Sequence, residues 1–109
     1  MKILLDECFP LDFRHSFPEH DVHTVQWAGF KGKKNGELVR AADDAGYDAL
    51  LTIDKNLPHQ QSLVDLRLSI IIVAAPTNQL EDLLPLANQI VEALETLERG
   101  AFIRVPESE

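Results

Sequence analysis

Ile3-Leu4-Leu5-Asp6-Glu7 sets the fold class, because an apolar run ends there at two acidic residues. The pattern returns at Leu50-Leu51-Thr52-Ile53, which is followed by Asp54. Short apolar runs that are rich in Leu and Ile and bounded by polar residues are typical of buried strands in a parallel sheet. Ligands of such sheets bind beyond the carboxyl ends of the strands, so these acids predict an acidic pocket. Because like charges repel at short distance, a divalent cation is the simplest reason for the cluster.

The composition is that of one small cytoplasmic domain. The chain has 109 residues, of which 45% are hydrophobic, enough for one core. Its net charge of −8 argues against a broad basic surface for nucleic acid. Cys8 is the one cysteine and has no disulfide partner within the chain, which favours a reducing compartment. With no apolar stretch of the length of a membrane span and no secretory signal, we expect a cytoplasmic protein that does not contact membranes.

Predicted strands and helices alternate along the chain. Apolar runs predict strands at 3–5, 22–25, 49–53, 68–74 and 102–105, and helical spacing predicts helices at 11–17, 35–45 and 80–99. A shorter helical turn is predicted at 59–63. Gly46 and Gly100 are expected to end two of the helices, and Asn78 to cap the last. Pro85 either kinks that last helix or marks its first turn.

This alternation predicts an α/β fold, a single three-layer α/β/α domain with a mostly parallel sheet. The domain is expected to cover 1–105, with a frayed tail at 106–109. For the acids to meet, the first and third strands must be neighbours, which gives a central strand order of 2-1-3. The direction of the last strand is left open.

Three acids are expected to converge at the carboxyl edge of this sheet: Asp6, Glu37 and Asp54. Glu37 lies in the first turn of a helix whose N-terminus faces that edge. Asp6 is favoured over Glu7, because successive side chains of a strand point to opposite faces. Each acid also has a plainer interpretation: Asp6 as a helix cap, Glu37 as a partner of the helix dipole, and Asp54 as part of an ordinary turn.

Several side chains near these acids are candidates for substrate contacts. Lys31, Lys33 and Lys34 form the basic cluster of an acidic chain and either hold an RNA backbone or line a solvated loop. Trp27 and Phe30 flank the same loop and either stack on a base or anchor the loop to the core. Thr52 and Asn56 are candidates for orienting water or a phosphate oxygen, and the secondary candidates are Glu7, Lys55 and His59.

Two segments resemble the C-terminal half of a PIN domain: Asn35-Gly36-Glu37-Leu38-Val39-Arg40-Ala41-Ala42, and Asp48-Ala49-Leu50-Leu51-Thr52-Ile53-Asp54-Lys55-Asn56-Leu57. Ile3-Leu4-Leu5-Asp6-Glu7 resembles the opening strand of such domains, whose Asp is a metal ligand. Over residues 2–75 the chain is similar to the compact PIN-like proteins found among bacterial toxin–antitoxin candidates.

The resemblance implies a Mg²⁺- or Mn²⁺-dependent endoribonuclease with Asp6, Glu37 and Asp54 as catalytic metal ligands. It also implies a toxin role, with RNA as substrate and a cognate antitoxin protein as partner. A homodimer is left open. Larger PIN domains carry a further acid between the first strand and the Glu37 position. Here that stretch offers Asp12, Glu19 and Asp21, none of them well placed.

Two alternatives remain for the function. One is a catalytically degenerate PIN-like module that binds RNA or protein without cleaving. The other is a receiver-like signalling domain, with Asp6 and Glu7 as its metal-binding acids and Asp54 as its phosphoacceptor. That fold also needs a Lys after its last strand, and no Lys follows Lys55 in this chain.

Overall fold

A computed structural model of the protein contains one sheet of five parallel strands, in the order β2-β1-β3-β4-β5. The structure describes residues 1–33, 35–53 and 66–106. The strands are β1 (Lys2–Leu5), β2 (Asp21–Thr24), β3 (Ala49–Thr52), β4 (Ser69–Val73) and β5 (Phe102–Val105). The predicted central order of 2-1-3 is confirmed, and β5, whose direction the sequence left open, runs parallel to β4.

Helical segments cover both faces of the sheet and make three layers. They are α1 (Asn35–Asp44), α2 (Leu80–Leu83), α3 (Ala87–Glu95) and 3₁₀ helices at Leu11–Ser16 and Leu84–Leu86. On one face, Phe13 of the first 3₁₀ helix and Ile90 of α3 pack with Leu5 in one core cluster. On the other, Leu38 of α1 packs with Leu50 in a second cluster. The predicted three-layer α/β/α architecture is therefore confirmed.

The central strands are buried and the edge strands are not. All residues of β3 and β4 are buried, as expected for parallel strands that are covered on both faces. The edge strands β2 and β5 include exposed residues, among them Asp21 and Phe102. The pattern of apolar runs therefore predicts the middle of the sheet more clearly than its edges.

Two helix ends follow from single residues. α1 ends at Asp44, and Gly46 adopts a φ of +84°, the left-handed conformation that commonly follows a helix. Pro85 interrupts the last predicted helix, because proline has no N–H to donate and its ring crowds the preceding turn. α2 therefore stops at Leu83, a 3₁₀ turn follows, and α3 begins at Ala87. α3 ends at Glu95 with Thr96 as its C-cap, so the prediction that Gly100 ends this helix is wrong.

The predicted cap at Asn78 is wrong. The N-cap of α2 is Gln79, without a side-chain hydrogen bond, whereas Asn78 Nδ2 donates to the carbonyl oxygen of Cys8 at 3.0 Å. That bond ties the loop after β4 to the loop after β1. The helical turn predicted at 59–63 lies outside the described residues, as do residues 107–109 of the expected tail.

The strand order determines where a ligand would bind. The chain passes from β1 to β2 on one side and then crosses to β3 on the other side of β1. The gap beyond the carboxyl ends of β1 and β3 is thus the topological switch point, where open α/β sheets bind their ligands. No helix within 1–33, 35–53 or 66–106 is long and apolar enough to cross a membrane.

Candidate functional site

Asp6 is the first residue after β1, directly at the switch point. Its N–H donates to the carbonyl oxygen of Leu51 at 3.0 Å, which extends the pairing of β1 with β3. Its Oδ2 accepts a hydrogen bond of 2.8 Å from Thr52 Oγ1, and its Oδ1 accepts one of 2.8 Å from the N–H of Glu7. Thr52 is fully buried, so its hydroxyl holds the half-buried carboxylate in one place. The Asp6 carboxylate is therefore held in one position and is not a freely moving surface acid.

The cap interpretation of Asp6 does not fit these contacts. The 3₁₀ helix that follows begins after Pro10, and its N-cap makes no side-chain hydrogen bond. The Asp6 side chain instead accepts a hydrogen bond from Thr52, which lies 46 positions further along the chain. We conclude that its carboxylate joins two strand ends and caps no helix.

A cavity of about 240 Å³ lies beside Asp6. Its lining residues are Asp6, Glu7, Phe9, Leu11, Thr24, Val25, Gln26 and Lys31. Asp6 and Glu7 both reach it, because β1 ends at Leu5 and the chain turns at Glu7. The strand alternation that favoured Asp6 over Glu7 therefore does not apply at this point. Glu7 is held through Oε1, which accepts a hydrogen bond of 3.2 Å from the N–H of Gly32.

The loop after β2 brings Lys31 to this cavity. Its turns are closed by hydrogen bonds from Ala28 N–H to Thr24 C=O and from Phe30 N–H to Val25 C=O, both 3.0 Å. Lys31 is exposed and lines the cavity with the two acids. Lys33 is half-buried and does not line it, and Lys34 lies outside the described residues. One lysine of the predicted basic cluster thus shares the cavity with Asp6.

Glu37 is exposed in the first turn of α1, as expected, but it does not line the cavity. Within the described ranges no group of three or more His, Cys, Asp or Glu side chains could hold a metal ion. The remaining predicted site residues Asp54, Lys55, Asn56 and His59 lie outside those ranges. The structure therefore places Asp6, Glu7 and Lys31 at one cavity, with Thr52 hydrogen-bonded to Asp6. Glu37 does not line that cavity.

The carboxylate oxygens at the cavity are the type of ligand that a hard cation such as Mg²⁺ prefers. Among the described residues, each oxygen of Asp6 accepts one hydrogen bond, and a carboxylate oxygen can accept two, so each has the capacity for a further interaction. Mg²⁺ is usually held by one or two carboxylates together with waters. Asp6 and Glu7 would provide such a pair of carboxylates.

The two aromatic residues of the loop have different environments. Phe30 packs against the cluster under α1 and lies 6.4 Å from the Tyr47 ring, which agrees with the anchor interpretation. Trp27 is 71% exposed and stacks on His23 with ring centroids 4.0 Å apart. Trp27 does not line the cavity beside Asp6.

Sequence reasoning missed two sets of polar side chains. Thr24 and Gln26 line the cavity, and their position at the end of the neighbouring strand is the signal that could have found them. The second set is a chain of hydrogen bonds in which His23 contacts Tyr47 Oη at 2.8 Å and Asp21 at 2.9 Å. Burial, and then the charge of Asp21, raise the pKa of Tyr47 above its usual value of 10.0. No local spacing signals this network.

The comparisons with known proteins assign no family. No protein-family model matches the chain, and no curated protein or solved structure matches it. The function is therefore argued from the position of Asp6 at the switch point and from the residues that line the cavity beside it.

Proposed function

We propose that the protein is a metal-dependent endoribonuclease of PIN-like type that acts as the toxin of a toxin–antitoxin pair. One observation carries the proposal. Asp6 stands at the switch point of a parallel sheet, held by the buried hydroxyl of Thr52, beside a cavity that also contains Glu7 and Lys31. A carboxylate that is held in place and shares a cavity with a lysine suits phosphodiester chemistry.

Each residue of the site has a stated role in this proposal. Asp6 is the central ligand, and Thr52 positions it by donating to Oδ2. A bound Mg²⁺ or Mn²⁺ would supply Lewis-acid polarisation of the phosphodiester and a bound water of lowered pKa. Lys31 would contact a phosphate oxygen of the RNA as a point charge. Glu37 and Asp54 remain the further ligands that the resemblance implies.

The receiver-like alternative has less support. Its strand order, 2-1-3-4-5, is the one observed here. However, β4 is followed by Ala74 and β5 by Pro106, so the strand ends that carry a hydroxyl and a Lys in receiver domains carry neither. The degenerate PIN-like module stays open, because Glu37 does not line the cavity.

An RNA cleavage assay with purified protein tests the proposal. We expect cleavage of a structured RNA with Mn²⁺ or Mg²⁺, none with EDTA, and a loss of about 100-fold or more in Asp6→Asn. Asp54→Asn tests the second proposed ligand. Asp12→Asn is the matched control, because Asp12 is exposed, lies on the 3₁₀ helix and does not line the cavity.

The outcomes separate the alternatives. Equal cleavage by wild type and Asp6→Asn would show that the activity comes from a contaminant or from another site. RNA binding without cleavage in any metal would favour the degenerate module. Labelling of Asp54 by acetyl phosphate would favour the receiver. For the toxin role, we expect growth arrest on expression in bacteria and its relief by Asp6→Asn in a protein with an unchanged circular dichroism spectrum.

A further inference from the structure

The strand β2 is a terminal strand of the sheet, and its outer edge carries backbone groups that have no partner among the described residues. The N–H groups of Asp21 and Val25 donate to Met1 and Leu5 of the neighbouring strand segment, at 2.9 and 3.1 Å. In a parallel pair alternate residues point their backbone groups to the partner, so those of Val22 and Thr24 point away from β1. Thr24 C=O is used by Ala28 N–H. The outer edge thus offers Val22 N–H, Val22 C=O and Thr24 N–H.

A hollow of about 290 Å³ follows this edge. Its lining residues are Leu11, Arg14, Val22, His23, Thr24 and Trp27. Successive residues of a strand point to opposite faces, so a hollow lined by Val22, His23 and Thr24 together lies along the edge itself. Its walls are Leu11 and Trp27, which are 59% and 71% exposed, the most exposed large apolar side chains in the described part of the chain. Exposed apolar side chains beside an unpaired edge mark an interaction surface.

We propose that a second copy of this chain binds here, with the two β2 strands antiparallel and Val22 facing Val22 across a two-fold axis. This register satisfies both backbone groups of Val22, because each Val22 N–H donates to the other Val22 C=O. The axis is perpendicular to the sheet, so both sheets join into one and each copy offers the same patch.

The same register is self-complementary in its side chains. When Val22 faces Val22, His23 of each copy lies opposite the second copy's Asp21, and directly opposed residues share a face. The Asp21 carboxylate is 70% exposed and already contacts His23 Nε2 at 2.9 Å within one chain, so the pair is chemically matched. On the other face, two Val22 side chains meet beside Leu11.

Charge sets a condition on this dimer. Each copy has a net charge of −8, so the two copies repel each other at long range. Salt screens that repulsion, while the backbone bonds and apolar contacts at the edge depend on it little. We therefore expect the dimer to strengthen as the salt concentration rises.

Sedimentation equilibrium across the micromolar range tests the proposal. We expect a monomer–dimer equilibrium between 12.2 kDa and twice that mass, with a dissociation constant that falls at higher salt. Trp27 is the only Trp of the chain and lies at the proposed interface, so its emission should shift to shorter wavelength over the same concentrations.

Two substitutions locate the interface. Leu11→Lys places a charge on the exposed wall of the hollow and should weaken the dimer by about 10-fold or more. Leu84→Lys is the matched control, because Leu84 is 48% exposed and does not line the hollow. Val22→Pro removes the outward N–H and no bond to β1, so it should give a folded monomer.

Three results would overturn the proposal. If the chain stays monomeric at all protein and salt concentrations, a second copy does not bind at this edge. An extended segment of another protein would then be the alternative occupant. A dimer that Leu84→Lys weakens more than Leu11→Lys uses a different surface. A dimer that weakens steadily with salt is held mainly by ion pairs, which contradicts an interface made chiefly of backbone bonds and apolar contacts.

Discussion

Replacing Thr52 with Val removes the hydroxyl that donates to Asp6 Oδ2 and leaves a side chain of nearly the same shape. Thr52 is fully buried, and the hydrogen bond is 2.8 Å long. A hydrogen bond to a charged group contributes a net free energy of about 1.5–3 kcal/mol. We expect a value at the lower end, about 1.5 kcal/mol, because the half-buried Asp6 can partly recover its solvation from water.

A double-mutant cycle isolates this bond from the other effects of the two substitutions. Thr52→Val, Asp6→Ala and the double variant would be unfolded in urea without divalent cations, with circular dichroism as the signal. We expect a coupling free energy of about 1.5 kcal/mol, so Thr52→Val should cost about that much more stability with Asp6 present than in Asp6→Ala.

The pair of Thr77, which is exposed, and Asp82, which is half-buried like Asp6, is the matched control. Thr77 Oγ1 donates to Asp82 Oδ2 on the surface, where water competes for both groups. The same cycle there should give about 0.5 kcal/mol or less. If the coupling at Thr52 and Asp6 is no larger than at this surface pair, Thr52 does not hold Asp6. The positioning argument for the site then fails, whatever the result of the RNA assay.

Two further predictions concern stability. Gly100→Ala should cost about 2–4 kcal/mol in urea unfolding, because φ is +70° and the new Cβ would lie 2.7 Å from Leu66 C=O. Gly46→Ala, at a φ of +84° with open space around it, should cost about 1 kcal/mol, and equal losses would refute the steric argument. Because the pKa of Tyr47 is raised above 10.0, the unfolded chain loses its phenol proton first, and stability falls as pH rises from 10.0 through the folded value. In Tyr47→Phe the free energy of unfolding should therefore decrease less between about pH 8 and about pH 11 than in the wild type, and an equal decrease would contradict this.

Local pattern was enough to predict the elements that carry the site. The apolar run before Asp6 and the buried run through Leu50 identify the two central strands, because parallel strands covered on both faces are continuously apolar. Gly46 ended α1 as expected, since the left-handed conformation it adopts is a property of the residue itself. The prediction that β1 and β3 are adjacent strands followed from the expectation that the acids at their ends lie close together.

Contacts between distant segments were not predictable in this way. Asn78 resembled a helix cap by its local spacing, yet it bonds to Cys8, 70 positions away. From the sequence, Pro85 could either kink one helix or mark the first turn of another. In the structure the helix is broken at Pro85, and Leu83 before the break and Ile90 after it pack in the same core cluster. Propensity describes what a segment tolerates, whereas packing selects one of the tolerated arrangements.

The sequence by itself determined the alternation of strands and helices and the place of Asp6 at a strand end, because burial on two faces leaves a periodic signature in the residues. Tertiary structure alone decided which side chains share the cavity. Thr52 donates a hydrogen bond to Asp6, and Lys31 lines the cavity beside it, whereas Glu37 does not. The order of the strands in the sheet and the folding of the loops set these positions. Contacts across 46 positions of chain depend on the alignment of strands, and no short stretch of sequence encodes that alignment.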